Sequence, residues 1–193
     1  MDGSVIAFMP STTIALRAAV AAFPFDPEKD LAPITTAGTF ETALAVSPRA
    51  GVTSVRTFAL WARDGEPERR RIGVTVTDSL LQVYARTIGR AIDGDRRLAA
   101  APDVPTANEL GFPGMLTEEW YGFFASAAAP PATVAEWNRQ IGAVLAEREV
   151  ATTLAKNGLQ IVGSTPQQAA DRVRAHLESW RTRMAAFKLE PLN

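Results

Sequence analysis

The chain has 193 residues, 47% apolar and 21% charged, with a formal net charge of -1, a profile suited to one good core or two small lobes. Near-neutral charge gives no basic footprint for nucleic acid, and no apolar run approaches the roughly 20 residues that cross a bilayer. With no cysteine and one histidine, disulfides, thiolate metal sites, thiol nucleophiles and multi-histidine metal sites are excluded, and no cofactor is implied.

The start, Met1-Asp2-Gly3-Ser4, lacks the positive n-region and long apolar stretch of a signal peptide. Val5 to Met9 is a short apolar run consistent with a buried strand, although periodicity alone does not separate it from a buried helix segment. Pro10-Ser11-Thr12-Thr13 follows and leads into a helix signal from Ile14 to Val20. A strand feeding a hydroxyl-rich turn and a helix start leaves backbone amides that suit an anion, although Ser11 or Thr12 could equally serve only as the helix cap. Phe23 to Pro33 carries three prolines among acids, which predicts an ordered surface loop. Its Asp26, Glu28, Asp30 spacing is that of half a calcium loop, without the glycine and glutamate that complete one.

Ile34 to Thr39 and Thr42 to Val46 read as strands. Ser54 is placed to cap a helix over Val55 to Arg63, and Ile72 to Val76 is a strand. Thr77-Asp78-Ser79 then caps a second helix, a repeat of the strand, hydroxyl turn and helix seen at the start. Pro102 to Phe124 reads as a loop, a short helix opened by the Thr106/Glu109 capping pattern, a second loop, and an aromatic strand from Trp120 to Phe124. Pro130-Pro131 starts a helix with Val134, Trp137, Ile141, Val144 and Leu145 inward. A shorter helix from Glu149 ends at Gly158, and Leu159 to Val162 is a strand. Thr165 and Gln168 form a capping box for a last helix whose stripe is Val173, Leu177, Trp180, Met184 and Phe187.

No set of residues supports catalysis. His176 lies beside the apolar stripe as a surface or boundary residue, and Glu118 and Glu119, adjacent on a strand, point to opposite faces and cannot share acid and base roles. Three of the four tryptophans read as core, with Trp120 set apart at the start of the returning strand.

Several blocks in order then carry a resemblance: Asp2-Gly3, Phe25-Asp26-Pro27-Glu28-Lys29-Asp30-Leu31-Ala32-Pro33-Ile34, Ala101-Pro102-Asp103-Val104-Pro105-Thr106, Gly111-Phe112-Pro113-Gly114, Trp120-Tyr121-Gly122, Pro130-Pro131-Ala132-Thr133-Val134 and Gly163-Ser164-Thr165-Pro166-Gln167. Together they resemble the substrate-binding receptors of tripartite tricarboxylate transporters, the Bug receptors. The resemblance implies an α/β fold of the type II periplasmic-binding-protein kind, not an enzyme. It implies two lobes: residues 1–46 and 119–193 in the first, and 47–118 in a reduced second. It implies a periplasmic solute receptor that traps a small organic carboxylate and delivers it to membrane permease subunits. The family's first strand, its anion-binding turn and a signal peptide would precede Asp2. Ser11, Thr12 and Thr13 match the hydroxyl-rich turn of the first lobe and are the expected ligand contacts, with Trp120 near the cleft. Thr77, Ser79 and Gln82 are the expected contacts from the second lobe, where Asp78 would repel a carboxylate unless it only caps the helix. The alternative is a shortened member acting as a scaffold or self-associating module, with a homodimer as its expected form.

Overall fold

The computed structural model describes residues 3–16, 18, 24–40, 50–54, 57, 58, 60, 61, 109 and 119–187. The chain divides into two compact units, Met1–Phe40 with Glu119–Asn193 in the first and Glu41–Glu118 in the second. The second strand expected after Phe40, the strand at Ile72 to Val76 with its following helix, and the turn carrying Thr77, Ser79 and Gln82 lie outside the described residues. So does most of the stretch from Pro102 to Glu118.

Among the described residues the first unit is built on a sheet of four strands: β1 (Ile6–Pro10), β2 (Leu31–Phe40), β3 (Glu119–Ser126) and β4 (Gln160–Ile161), in the spatial order β1-β3-β2-β4. Every pairing is antiparallel. β3 is central because its residues are bulky and apolar on both sides, the composition of a strand covered on two faces. Trp120 and Phe124 are buried on one face, while Phe123 and Ala125 point to the other.

Each face has its own helix. Helix α1 (Pro131–Leu145) lays Val134, Trp137 and Ile141 against a cluster of Ile34, Ala125 and Ala129, with Ile6, Ala32 and Phe123 alongside. Pro131 sits at its first turn, where a missing N–H costs no helical bond. The sequence reading of this face needs one correction: Val144 is 49% exposed and Leu145 is buried. Adjacent helical positions are about 100° apart, so only one of the two can face the sheet. After the short helix α2 (Arg148–Lys156), Gly158 turns the chain at φ +79°, a left-handed conformation that favours glycine. Helix α3 (Pro166–Phe187) covers the Trp120 face and buries Ala169, Val173, Leu177, Trp180 and Met184. Its start is a reciprocal cap: the Thr165 N–H donates to Gln168 Oε1 at 2.9 Å, and the Gln168 N–H donates to Thr165 Oγ1 at 3.2 Å.

β2 is irregular, with register shifts against β3 between Pro33 and Thr35 and between Thr36 and Gly38. The backbone groups this displaces are taken up by side chains. The Thr36 N–H donates to Ser164 Oγ at 2.8 Å, Thr35 Oγ1 donates to the Ser164 carbonyl at 2.9 Å, and Asn138 Nδ2 donates to the carbonyls of Ile34 and Ser164, both at 2.8 Å. At Gly38 the β4 backbone approaches so closely that a Cβ would stand 2.6 Å from the Gln160 carbonyl oxygen. Gly38→Ala is therefore expected to destabilise the protein by about 1–3 kcal/mol, the usual range for overpacking. The check is the denaturation midpoint in urea, and an unchanged midpoint would show that β4 is free to move away.

In the second unit, Ser54 caps a helical turn as its sequence position predicts. The Thr57 N–H donates to Ser54 Oγ at 3.1 Å, and the Ser54 N–H donates to Thr57 Oγ1 at 3.0 Å. Phe58, 4% exposed, stacks on Trp61 with ring centres 5.8 Å apart.

Candidate functional site

β1 ends at Pro10, paired with Tyr121, and the next residues are the hydroxyl run Ser11-Thr12-Thr13. Among the described residues the helix expected here contains a five-residue π-turn, Thr12–Leu16, a wide form often found at functional positions, and Ala18 beyond it is also helical. Ser11 does not act as its cap. It is fully buried, and its hydroxyl donates to Glu119 Oε2 while accepting the Trp120 N–H at 3.0 Å. Thr12 is 3% exposed, and Thr13 is half-buried, the least buried of the three.

Glu119 is itself 1% exposed at the first position of β3, and Ser11 is one of the groups that make its burial tolerable. Trp120, expected near an opening, is instead core at 2% exposure, its ring packed near Phe124. Its indole N–H donates to His176 Nδ1 at 3.1 Å, and the Trp180 ring stands 6.4 Å from His176 on the same helix. From the sequence Ser11 and Trp120 are expected ligand contacts, Glu119 is one of an adjacent carboxylate pair with no assigned partner, and His176 is a boundary residue. The available signal was a carboxylate opening an otherwise apolar strand, but its partner is 108 residues away.

The acids of the proline loop are used locally. Asp26 is held below the ordinary carboxylate range chiefly by its bond to the Lys29 ammonium at 2.6 Å, then by the Glu28 N–H. Glu28 reaches Arg181 of α3 at 3.3 Å. Among the described residues no three His, Asp or Glu side chains gather as a metal site.

An open groove of about 530 Å³ lies along α1, lined by Gly3, Ser4, Ala132, Thr133, Glu136, Trp137 and Gln140. The Trp137 indole N–H donates to the Gly3 carbonyl at 3.1 Å across it. The Glu136 carboxyl is pushed down to about 2 by hydrogen bonds from Arg139 and then Gln140, each 2.6 Å away. Charged at all ordinary pH, it makes this groove a poor seat for an anion.

The sheet with a helix on each face is a fold shared with periplasmic binding proteins, among them a solved periplasmic transporter and BugD. The chain belongs to the tripartite tricarboxylate transporter family receptor group, whose profile matches residues 90–189, more than half of the sequence. Protein BugT of Bordetella pertussis is 29% identical over 90 residues, 47% of this chain. The match spans only 28% of that relative's length. The fold is similar to a solved periplasmic transporter with a TM-score of 0.85 at 19% identity, covering 98% of this chain and 79% of the other. It is also similar to an R. palustris protein solved with adipate, with a TM-score of 0.81, 19% identity and coverage of 99% and 80%. MatC from Rhodopseudomonas palustris, with bound malate, gives a TM-score of 0.70, 20% identity and coverage of 94% and 79%. At these identities the likeness is one of fold.

Proposed function

We propose that this protein binds a small organic carboxylate in the periplasm and presents it to the membrane permease subunits of a tripartite tricarboxylate transporter. The observation that carries this reading is the receptor-family match over residues 90–189. The adipate and malate found in two proteins of similar fold support a dicarboxylate as the ligand class. Within the proposed contact set Ser11, Thr12, Thr13, Thr77, Ser79, Gln82 and Trp120, we assign the first hydroxyl contact to Thr13. Ser11 is spent on Glu119 and the Trp120 N–H, and the Trp120 indole N–H on His176.

A melting-temperature series with adipate, malate, succinate and citrate tests the reading. A ligand at 100 times its dissociation constant adds about 2.7 kcal/mol to stability, so a binder is expected to give a clear upward shift that matched chloride does not. Thr13→Val, which keeps the shape and deletes the hydroxyl, is expected to weaken that binding without moving the unliganded melting point. No shift with any of the four at millimolar concentration would sink the proposal.

A further inference from the structure

The contact between Trp120 and His176 carries a constraint on protonation. An indole N–H only donates, so His176 Nδ1, 3.1 Å from Trp120 Nε1, must present its lone pair. The ring is then the neutral tautomer with its proton on Nε2, an atom that is itself buried. A second proton, on Nδ1, sets two donors against each other and places a charge on a half-buried ring.

The contact also lies among the first residues of β3. Phe40, the last residue of the first unit before the second, is paired with Glu119, the first residue on return. The base of β3 is held at adjacent residues, Glu119 and the Trp120 N–H by Ser11, and the Trp120 ring by His176.

We propose that the Trp120–His176 bond is a pH-sensitive latch on the base of β3, closed when His176 is neutral and released when it is protonated. Among the described residues, the ionisable groups on the elements packed around it are these. Neither β2 nor the π-turn, both packed on α3, carries an ionisable side chain. β3 contributes Glu119, bound by Ser11, and Tyr121, which points to the opposite face from Trp120. α1 contributes Glu136 and Arg139, exposed and paired with each other. On α3 itself Arg172 is one turn before His176, Glu178 is exposed, Asp171 and Arg174 form an exposed pair, Arg181 reaches Glu28, and Arg183 lies two turns on. The stabilisation is present while His176 is neutral and is lost as falling pH protonates it.

His176 is the sole histidine of the chain, so its imidazole proton resonance needs no assignment, and the Trp120 indole resonance is identified by its loss in Trp120→Phe. On acidification from pH 7.5 to 5.5 the indole resonance is expected to move with the same midpoint as the imidazole, while the melting temperature falls by roughly 2–6 °C. His176→Gln keeps a neutral acceptor and is expected to lose this fall, and Trp120→Phe, which keeps the ring but not the donor, to reduce it by at least half. An equal fall in wild type and His176→Gln, or an indole resonance that ignores the imidazole titration, overturns the proposal. The resonance experiment decides on wild-type protein even where a variant does not fold.

Discussion

Trp180→Ala is expected to lower the unfolding free energy by about 3–5 kcal/mol, the range for deleting a large aromatic from a core. Trp180 is 1% exposed and stands in the stripe that docks α3 on the sheet, between Leu177 at 1% and Met184 at 8%. No neighbour collapses easily into the space, because the ring lies beside His176, which is already bonded to Trp120. Against a typical total of 5–15 kcal/mol, a large share of the stability goes with one side chain. Urea denaturation followed by far-ultraviolet circular dichroism measures it. Trp137→Ala is the comparison, since Trp137 is only half-buried and gives up one bond to the Gly3 carbonyl. If the two substitutions cost the same, α3 is not the principal cover of this sheet face.

The second large effect comes from a single oxygen atom. Ser11→Ala removes the hydroxyl that donates to the buried Glu119 carboxylate and accepts the buried Trp120 N–H. It opens no cavity of consequence, so the cost is that of two buried polar groups each losing a partner, one of them a carboxylate. An orphaned group costs about 1–3 kcal/mol, more when charged, which gives an expected loss of about 2–4 kcal/mol. The same substitution separates two roles for Ser11. As a ligand contact alone, its loss would leave the unliganded melting point untouched and reduce only binding. As the anchor of β3, its loss lowers the melting point before any ligand is added.

The elements legible in the sequence were those whose determinants are local. The Pro131 start of α1, the Thr165/Gln168 box and the Gly158 stop each involve residues within one helical turn, and all three are where the pattern puts them. The receptor family was legible because several motif blocks recur in order, a long-range signal carried by the linear sequence. The burial of Trp120 is not legible, since what covers its ring is His176 and its helix, 56 residues further on. Glu119 was harder still, because two adjacent carboxylates at the head of an aromatic run give no hint of a serine 108 residues before the second of them. Val144 shows the limit of periodicity, since beside Leu145 either residue fits the stripe and only packing on the sheet decides.

The pairing of Phe40 with Glu119 bears on the order in which the chain acquires structure. The central strand β3 lies after the whole second unit, so β1 and β2 find their shared neighbour only once residues 41–118 have been made. Until then Phe8, half exposed even in the finished fold, and the buried positions of β2 have nothing to pack against. Closing so long a loop is unfavourable, yet each doubling of its length adds only about 0.6 kcal/mol. A kinetic consequence follows: the first unit assembles late and slowly for its size, as expected where most strand contacts are distant in sequence. Such late assembly leaves the first unit in need of protection from aggregation while the ribosome is still at work.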